Sequence, residues 1–381
     1  MTNGIKDFHG IRTWLEIDKP ALQHNLNQFR RIIKPECKLM AITKSNAYGH
    51  GLVDYSLALN KLNVDWFGVD SIIEAKKLRD QGISKPILVL GYTLPEFYKE
   101  AALRNISITI SNLESLKSIE NLHLDCRLNI HVKIDTGMHR QGFALSEINK
   151  VILILKKSKD CYLEGVYTHF ASAKNPAFRK DTETQLEEFD KALVLFHSAH
   201  FSPIRHAAAT GGTIVFPESH FDMVRIGIGL MGIWPSSETR SAYEDSMKLE
   251  PILSWKTIVA EIKNVRKGER IGYGLTELLR RDTRIAVLPV GYWHGYKWAL
   301  SSVGNVLIGG KRCRVLGRVS MDMISVDVTD LKNIKIGEEV TLLGASKGEN
   351  VSVEELALLA NSYNYEIITQ LNPLMKRIYK L

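Results

Sequence analysis

The sequence lacks the apolar segments that mark a membrane-spanning or secreted protein. No apolar run in its 381 residues is long enough to cross a bilayer. The N-terminal residues 1–7 have no apolar core of the kind found in a signal peptide. We therefore expect a cytoplasmic protein that does not bind membranes.

Cysteine is scarce, and the chain has neither internal repeats nor low-complexity tracts. Cys37, Cys126, Cys161 and Cys313 form no C-x-x-C pair, and none stands near a histidine at metal-ligand spacing. This pattern predicts four reduced thiols in a reducing compartment and no metal site.

A continuous basic tract is also absent, although the formal net charge is +8. The longest basic cluster, residues 278–284, is short and is interrupted by Asp282. Nucleic-acid binding stays open on charge alone, but the scattered lysines and arginines argue against it. A basic chain also favours anionic small ligands by long-range steering.

Short apolar runs alternate with helical segments up to about residue 235. Strand–helix alternation implies a parallel sheet, and roughly eight such units fit a closed barrel better than an open sheet. The candidate strands begin near Lys38, Asp65, Pro86, Ile106, Leu128, Leu163, Ile204 and Met223. Because barrel enzymes keep their chemistry at the carboxyl ends of the strands, function is expected in the loops that follow them.

From Leu253 onward the chain is rich in strands punctuated by glycine. We predict an α/β protein with an N-terminal (β/α)8 barrel of the TIM type in residues 1–245. A C-terminal mainly-β domain is predicted in residues 246–381, with residues 255–262 as one of its strands. The strand Thr13–Asp18 is a further candidate for this domain, so residues 1–17 could belong to it.

Lys44 closes the strand that begins at Lys38, and a polar, glycine-bearing loop follows it. A lysine is rarely buried unless it is paired or used, and a desolvated amine can form a Schiff base with a carbonyl cofactor. On Lys44 alone, a surface lysine beside a turn is the favoured alternative. The loop is not a phosphate-binding P-loop, because its glycines follow the lysine.

Three later strand ends carry groups suited to anions. Arg140 could hold a carboxylate through two parallel hydrogen bonds, and His169 closes the next strand. Thr210 lies in a turn of small residues whose backbone amides could approach a phosphate. Taken singly, a surface arginine after a turn and a structural histidine explain these positions equally well.

Residues 44–51 (K-S-N-A-Y-G-H-G) resemble the pyridoxal-phosphate lysine motif of the alanine racemase family, which has alanine in place of Ser45. Other segments resemble the family's motifs in the same order, and the resemblance covers nearly the whole chain from Thr13 to Arg377. These segments are residues 132–142, 224–232, 270–277, 291–296 and 317–323.

The resemblance implies a racemase that uses pyridoxal 5'-phosphate and makes D-alanine for peptidoglycan. It implies that Lys44 binds the cofactor and serves one face of the substrate's α-carbon, while Tyr273 serves the other face. The residues implied to contact the cofactor, besides Lys44, are Tyr48, His169, Thr210, Arg225, Gly227 and Ile228.

The family's substrate carboxylate is held by residues matching Arg140 and the backbone amide of Met321. Lys133 matches a lysine that is often carbamylated and helps to hold the arginine. Arg225 would face the pyridine nitrogen, and since arginine keeps its proton, that nitrogen is not fully protonated. The ring is then a weaker electron sink, which disfavours transamination.

The resemblance also implies a head-to-tail homodimer with two shared sites, because Tyr273 lies in the β domain and reaches the partner's barrel in the family. Without the family, a tyrosine between two glycines is more often a packed strand residue. The alternatives are a racemase of broader or different specificity, a related decarboxylase, and a cofactor-binding carrier protein. The decarboxylases typically have an acidic partner for the ring nitrogen, and the carriers lack the β domain.

Several positions depart from the family pattern. His139 and Gln141 replace the usual glycine and leucine, and Thr210 replaces the usual serine. Acidic, arginine and tyrosine positions of the family's entry corridor correspond to Lys174, Trp298 and Pro373. We therefore hypothesise a site tuned less strictly to alanine.

Overall fold

The computed structural model describes residues 10–120, 122, 124 and 126–380. The N-terminal residues 1–7, on which the signal-peptide expectation rests, lie outside the described residues. The chain divides into two compact units. The barrel unit contains Pro20–Ala47 and Leu52–Glu250, and the β unit contains the first strand, Tyr48–Gly51 and the chain from Pro251 onward.

Eight parallel strands form the sheet of the barrel unit, in the spatial order β8-β7-β6-β5-β4-β3-β2-β9. A bridge between Ala209 and Arg225 links the two outermost strands, so the sheet is nearly closed. Each strand begins within two residues of its predicted start, and the predicted fold class is confirmed. The strands are β2 Lys38–Ile42, β3 Trp66–Val69, β4 Ile87–Val89, β5 Ser107–Ile110, β6 Leu128–Lys133, β7 Cys161–Tyr167, β8 Ile204–His206 and β9 Met223–Ile226.

The helices of the barrel unit follow the strands and cover the sheet. Strands such as Trp66–Val69 are buried at every position, as parallel strands covered on both faces must be. The Ser71 side chain accepts the Glu74 N–H and starts one of these helices. The helices are Lys19–Ile32, Leu52–Lys61, Ile72–Asp80, Tyr98–Leu103, Leu113–Glu120, Ile148–Lys157, Arg179–Ser198, Thr210–Val215 and Ser237–Tyr243.

The β unit contains a mainly antiparallel sheet in the order β11-β14-β17-β16-β15-β18-β10-β1-β20, with β19 beside β18. Strand β1, Thr13–Asp18, pairs antiparallel with β10 and parallel with β20. The remaining strands are β10 Leu253–Ile258, β11 Glu261–Val265, β12 Arg270–Ile271, β13 Glu277–Leu278, β14 Thr283–Leu288, β15 Asn305–Ile308, β16 Lys311–Leu316, β17 Ile324–Asp327, β18 Glu339–Ser346, β19 Glu349–Val351 and β20 Lys376–Lys380. Two helices, Val353–Leu359 and Asn364–Thr369, complete the unit.

The prediction of one strand over residues 255–262 is wrong. The Val259 N–H donates to Glu338 O at 2.9 Å, whereas the Ala260 N–H donates to Val287 O at 2.9 Å. The chain therefore changes its pairing partner here, from β18 to β14, and continues as a separate strand. Within the described residues, no helix is both long and apolar enough to span a bilayer.

Candidate active site

Lys44 begins a left-handed turn directly after β2. Ser45, Asn46, Ala47 and Tyr48 all have positive φ, between 49° and 55°. Left-handed backbone costs a residue with a side chain roughly 1–2 kcal/mol, so four in succession need compensation from their surroundings.

Glu74 supplies part of that compensation. Its carboxylate accepts the N–H groups of Ser45 at 2.7 Å, Asn46 at 3.4 Å and Asp70 at 2.8 Å. The Asn46 side chain in turn accepts the Leu52 N–H at 2.9 Å. These bonds hold the turn so that the Lys44 ammonium stands 3.5 Å from Asp70 Oδ1, with its side chain 38% exposed.

Lys133 lies at the carboxyl end of β6 and is only 6% exposed. Its ammonium donates to Gln141 Oε1 at 3.3 Å and stands 5.6 Å from the centre of the Tyr167 ring. Burial, reinforced by the charges of Arg140, Arg225 and Lys44, lowers the pKa of Lys133 to about 8. A fraction of this side chain is therefore a neutral, nucleophilic amine near neutral pH.

Arg225, on β9, is 3% exposed. One guanidinium nitrogen donates to the carbonyls of Thr168 and Ala207, each at 2.8 Å, and the other donates to His206 Nδ1 at 2.9 Å. Within the described residues its hydrogen bonds go to carbonyls and imidazoles and none goes to a carboxylate. Burial lowers the pKa of Arg225 to about 10, so the side chain stays a cation at neutral pH.

His169 is brought beside Arg225, as the strand-end argument predicts. Its Nδ1 accepts from the guanidinium at 3.3 Å. Burial first, and then the charges of Arg225, Arg140, Lys133 and Lys44, lower the pKa of His169 well below its usual range. The imidazole is therefore neutral.

Backbone N–H groups suited to a phosphate lie near Thr210. Gly227 donates its N–H to the Thr210 hydroxyl at 3.2 Å, and the 3-10 turn Ile228–Met231 follows at once. The first N–H groups of such a turn have no acceptor within it. Gly211 packs so closely that an added Cβ would lie 2.8 Å from Lys174 Cα, which keeps the backbone compact here.

Positive charge exceeds negative charge in this part of the barrel unit. Lys44, Lys133, Arg140 and Arg225 lie close enough for their charges to act together on His169. An excess of partly buried cations stabilises an anion that binds among them.

The nearest acids offset only part of this charge. The Asp70 carboxylate faces the Lys44 ammonium. Asp135 is already occupied, because its Oδ1 accepts the N–H groups of Gly137 and His139, each at 3.0 Å, and His139 Nδ1 lies 3.4 Å from Oδ2. We therefore interpret this cluster of cations as an anion-binding site.

Three predicted site residues lie in the β unit. The Tyr48 ring packs on Tyr365, with ring centres 6.0 Å apart. Tyr273 starts the 3-10 turn Tyr273–Leu275 and is 71% exposed, and Met321 is 54% exposed. A tyrosine this exposed is not the packed strand residue that its glycine neighbours alone would favour.

The structure shows the contacts of Lys174, Trp298 and Pro373, which the resemblance matches to the family's entry corridor. The Lys174 carbonyl accepts the hydroxyl groups of Ser236, at 2.8 Å, and Thr239. Trp298 packs under the Arg318 guanidinium at 5.7 Å. The Pro373 carbonyl accepts from the Arg377 guanidinium at 2.8 Å.

Glu74, which holds the Lys44 turn, is a residue that sequence reasoning missed. The signal was present, because an acid in the first turn of the helix after β3 lies at the carboxyl end of the barrel. Three polar residues behind Arg225 were also missed, namely the buried His131 and His206 and the partly exposed Glu164. Only the strand register brings them together.

Comparison with known proteins extends the likeness over both halves of the chain. Residues 17–235 match the family model for the alanine racemase N-terminal domain, and residues 252–379 match that for the C-terminal domain. The alanine racemase of Symbiobacterium thermophilum is 38% identical and covers 98% of this chain and 98% of its own length. Alanine racemase 2 of Bacillus subtilis is 37% identical, over 96% of this chain and 94% of its own.

Solved structures agree with these matches. The alanine racemase of Clostridium difficile 630 has a TM-score of 0.91 and 32% identity, over 97% of this chain and 96% of its own. The Bacillus anthracis alanine racemase with bound L-Ala-P has a TM-score of 0.92 and 32% identity, over 97% and 95%.

Proposed function

Because the chain belongs to the alanine racemase family and is an isomerase of that class, we propose that it interconverts L-alanine and D-alanine with pyridoxal 5'-phosphate. The observation that carries this proposal is the excess of cations around Lys44. The phosphate of the cofactor and the carboxylate of an amino acid are both anions, and such a site stabilises both. Supply of D-alanine to peptidoglycan and a cytoplasmic location belong to the same proposal.

The residues present fit the cofactor. Lys44 would hold its aldehyde carbon, and Tyr48, Thr210 and the amides of Gly227 and Ile228 would hold its phosphate. The fit rests on the buried Thr210 hydroxyl and on the N–H groups at the start of the turn Ile228–Met231. When bound, the cofactor withdraws electrons from the substrate's α-carbon and so acidifies its proton.

The side chains that would lie around the ring nitrogen, Arg225 and His169, are a cation and a neutral imidazole at neutral pH. Arg225 keeps its proton, since its lowered pKa of about 10 still lies above neutral pH. Neutral His169 would pack beside the ring. An arginine opposite the ring nitrogen leaves that nitrogen without a full proton, so chemistry that needs a strong electron sink is disfavoured.

Lys44 and Tyr273 would move protons on opposite faces of the α-carbon. Arg140 and the Met321 amide would hold the substrate carboxylate, and Arg140 is suited to this because guanidinium binds carboxylate through two parallel bonds. In this proposal the domain of residues 1–245 binds the cofactor, and the domain of residues 246–381 supplies Tyr273 to a second subunit. Its 71% exposure supports that role.

The proposal is tested by α-proton exchange in deuterated water, followed by NMR and chiral analysis. The enzyme is mixed with pyridoxal phosphate and with separate L-amino acids. We expect exchange and formation of the D-isomer with L-alanine. Absence of exchange with every amino acid would overturn the proposal and favour the decarboxylase or carrier alternatives.

The same assay tests substrate range. Lys174, Trp298 and Pro373 differ from the usual corridor residues, so we expect serine, lysine or arginine to be racemised at rates comparable with alanine. A panel in which alanine is turned over far faster than these three would contradict the broader specificity. It would leave the alanine racemase proposal intact.

Arg225→Glu is expected to raise the share of transamination. A carboxylate opposite the ring nitrogen would favour its protonated form and strengthen the electron sink. Pyruvate released from alanine is measured against D-alanine formed. Because the substitution also leaves the Thr168 and Ala207 carbonyls without their donor, the variant should lose about 3 kcal/mol of stability. An unchanged ratio of pyruvate to D-alanine in folded variant would contradict this role.

Lys133 is expected to make stability depend on pH. Its pKa is about 8 in the folded protein and 10.5 in the reference state, so the unfolded chain binds more protons between these values. The free energy of unfolding should therefore rise with pH across this window. At pH 7 the buried charge costs about 3 kcal/mol, which Lys133→Met should recover.

Urea unfolding of the apoprotein in carbon-dioxide-free buffer measures the free energy of unfolding of wild type and of Lys133→Met. The measurement is made at the two pH values that bound the range, below the folded pKa and above the unfolded pKa. Lys61→Met, at an exposed helix end, is the matched control and should show no such trend. If the free energies of unfolding of Lys133→Met and wild type differed by the same amount at both pH values, the lowered pKa of Lys133 would be contradicted. In bicarbonate enriched in carbon-13, Lys133 should instead give a carbamate signal that Lys133→Met lacks.

A further inference from the structure

A line of polar side chains, all buried except the partly exposed Glu164, runs away from Arg225 through the interior of the barrel unit. Arg225 donates to His206 Nδ1 at 2.9 Å, and His206 Nε2 lies 2.9 Å from His131 Nδ1. His131 Nε2 lies 3.2 Å from Glu164 Oε2, and the Ser107 hydroxyl donates to the same oxygen. We call Arg225, His206, His131 and Glu164 the relay. Ser107 opens β5, so the acidic end lies toward the amino ends of the strands.

Only one arrangement of protons satisfies every bond in the relay. A guanidinium can only donate, so His206 Nδ1 must accept and the proton of that ring lies on Nε2. His206 Nε2–H then donates to His131 Nδ1, which places the His131 proton on Nε2, where it donates to Glu164. A proton on His131 Nδ1 would instead face the His206 N–H.

The Glu164 carboxylate favours the same arrangement from the other end of the relay, because it accepts the N–H that this arrangement places on His131 Nε2. Burial raises the pKa of Glu164, but the hydrogen bonds from His131 and Ser107, together with nearby positive charge, outweigh that rise. The net shift is downward, and the group is ionised. Burial and the charge of Arg225 keep the pKa of His206 well below its usual range. The hydrogen bonds therefore join a cation at one end to an anion at the other through two rings, each with its proton on Nε2.

The rings are held tightly by the strands around them. His131 and His206 are fully buried. Tyr167 stacks on His206 with ring centres 4.7 Å apart and planes 6° apart, and Trp66 meets His131 edge-on at 5.5 Å. Gly165 leaves the space for His131, because a Cβ there would lie 2.2 Å from its Nδ1.

We propose that Glu164, acting through His131 and His206, is a positioning residue that fixes the Arg225 guanidinium against the ring nitrogen of the cofactor. This inference rests on the proposed function. A reversed His206 tautomer would present an N–H to the guanidinium, which would have to move. Two buried imidazoles and a partly buried carboxylate are costly unless they are hydrogen-bonded, and here each ring nitrogen has a partner.

Neutron diffraction from the holoenzyme, crystallised from deuterated buffer, tests the proton positions directly. We expect deuterium on Nε2 of both His131 and His206, none on either Nδ1, and none on Glu164. Deuterium on Nδ1 of either ring would overturn the relay. This readout does not depend on racemase activity.

Kinetics of Glu164→Gln test the functional role. The amide can present either its oxygen or its NH2 group to His131, so it is compatible with either tautomer of that ring. We expect kcat for alanine to fall about tenfold, as for other residues that orient a catalytic group, with KM within about twofold. Arg140 and the Met321 amide would still bind the substrate, which is why KM should change little.

Ser219→Ala is the matched control. It removes a buried hydroxyl of the barrel unit that donates to the Phe216 carbonyl at 2.7 Å, and neither residue contacts the relay. Its kcat should stay within about twofold of wild type. Equal losses in the two variants, or an unchanged kcat in Glu164→Gln, would overturn the positioning role. If Glu164→Gln does not fold, the neutron map decides.

The two proposals fail in different ways. Wild-type enzyme that racemises no amino acid overturns the proposed function, whereas deuterium on an Nδ1 overturns the relay in an enzyme that still racemises alanine.

Discussion

Lys44→Ala is expected to abolish racemisation, with kcat lowered by about 10⁴-fold or more. The substitution removes both the amine that would bind the cofactor and the base for one face of the α-carbon. The left-handed turn should survive, because Glu74 holds it through backbone N–H groups and not through the lysine. D-alanine formed from L-alanine is measured by chiral chromatography.

Two further variants separate charge from reactivity. Lys44→Arg keeps a cation near Asp70 but lacks a titratable amine, so it should be as inactive as Lys44→Ala. Lys61→Ala, on the exposed end of the helix Leu52–Lys61, should behave as wild type. Activity of Lys44→Ala within about tenfold of wild type would contradict the role of Lys44.

The barrel could be predicted because its strands are buried on both faces. Such strands appear in the sequence as continuous apolar runs, as in Trp66–Val69. Their spacing along the chain indicates each strand–helix pair of the barrel. Strands of the β unit are less visible. Lys311–Leu316 was missed because three of its first four residues are exposed and polar, so only Cys313, Val315 and Leu316 mark its buried face.

The strand-end residues could be predicted for a geometric reason. The carboxyl ends of parallel strands meet at one end of a barrel, so Lys44, Lys133, His169 and Arg225 had to lie near one another. The charges of the other three do act on the pKa of His169. Their roles in catalysis stay proposals.

Other parts of the site depend on details that no local pattern contains. Four residues with side chains in left-handed conformation contradict local propensity. Glu74, in the helix after the next strand of the barrel, helps to hold them by accepting the N–H groups of Ser45 and Asn46. The relay depends on the pairing of β6 with β7, where the register shifts between Ile130 and His131. A shift of one residue would turn His131 away from His206.

Tyr273→Phe is expected to stop inversion while leaving exchange on the other face. The substitution removes only the phenolic hydroxyl. If that hydroxyl transfers a proton, the rate of racemisation should fall about 10²–10⁴-fold. The enantiomer whose α-proton faces Lys44 should still exchange with deuterated water, with retention of configuration. Exchange of both enantiomers at wild-type rates would contradict the two-base assignment.

Mixing the two inactive variants tests whether sites are shared between subunits. In a mixed dimer of Lys44→Ala and Tyr273→Phe, one shared site would carry both substitutions and the other would carry neither. Random exchange of subunits should therefore restore about a quarter of the wild-type rate. Neither variant alone should regain activity under the same treatment. The double variant, treated in the same way, is the control and should stay inactive. If each site were built from one chain, no mixture would be active, and Tyr273 would have to serve the barrel of its own subunit.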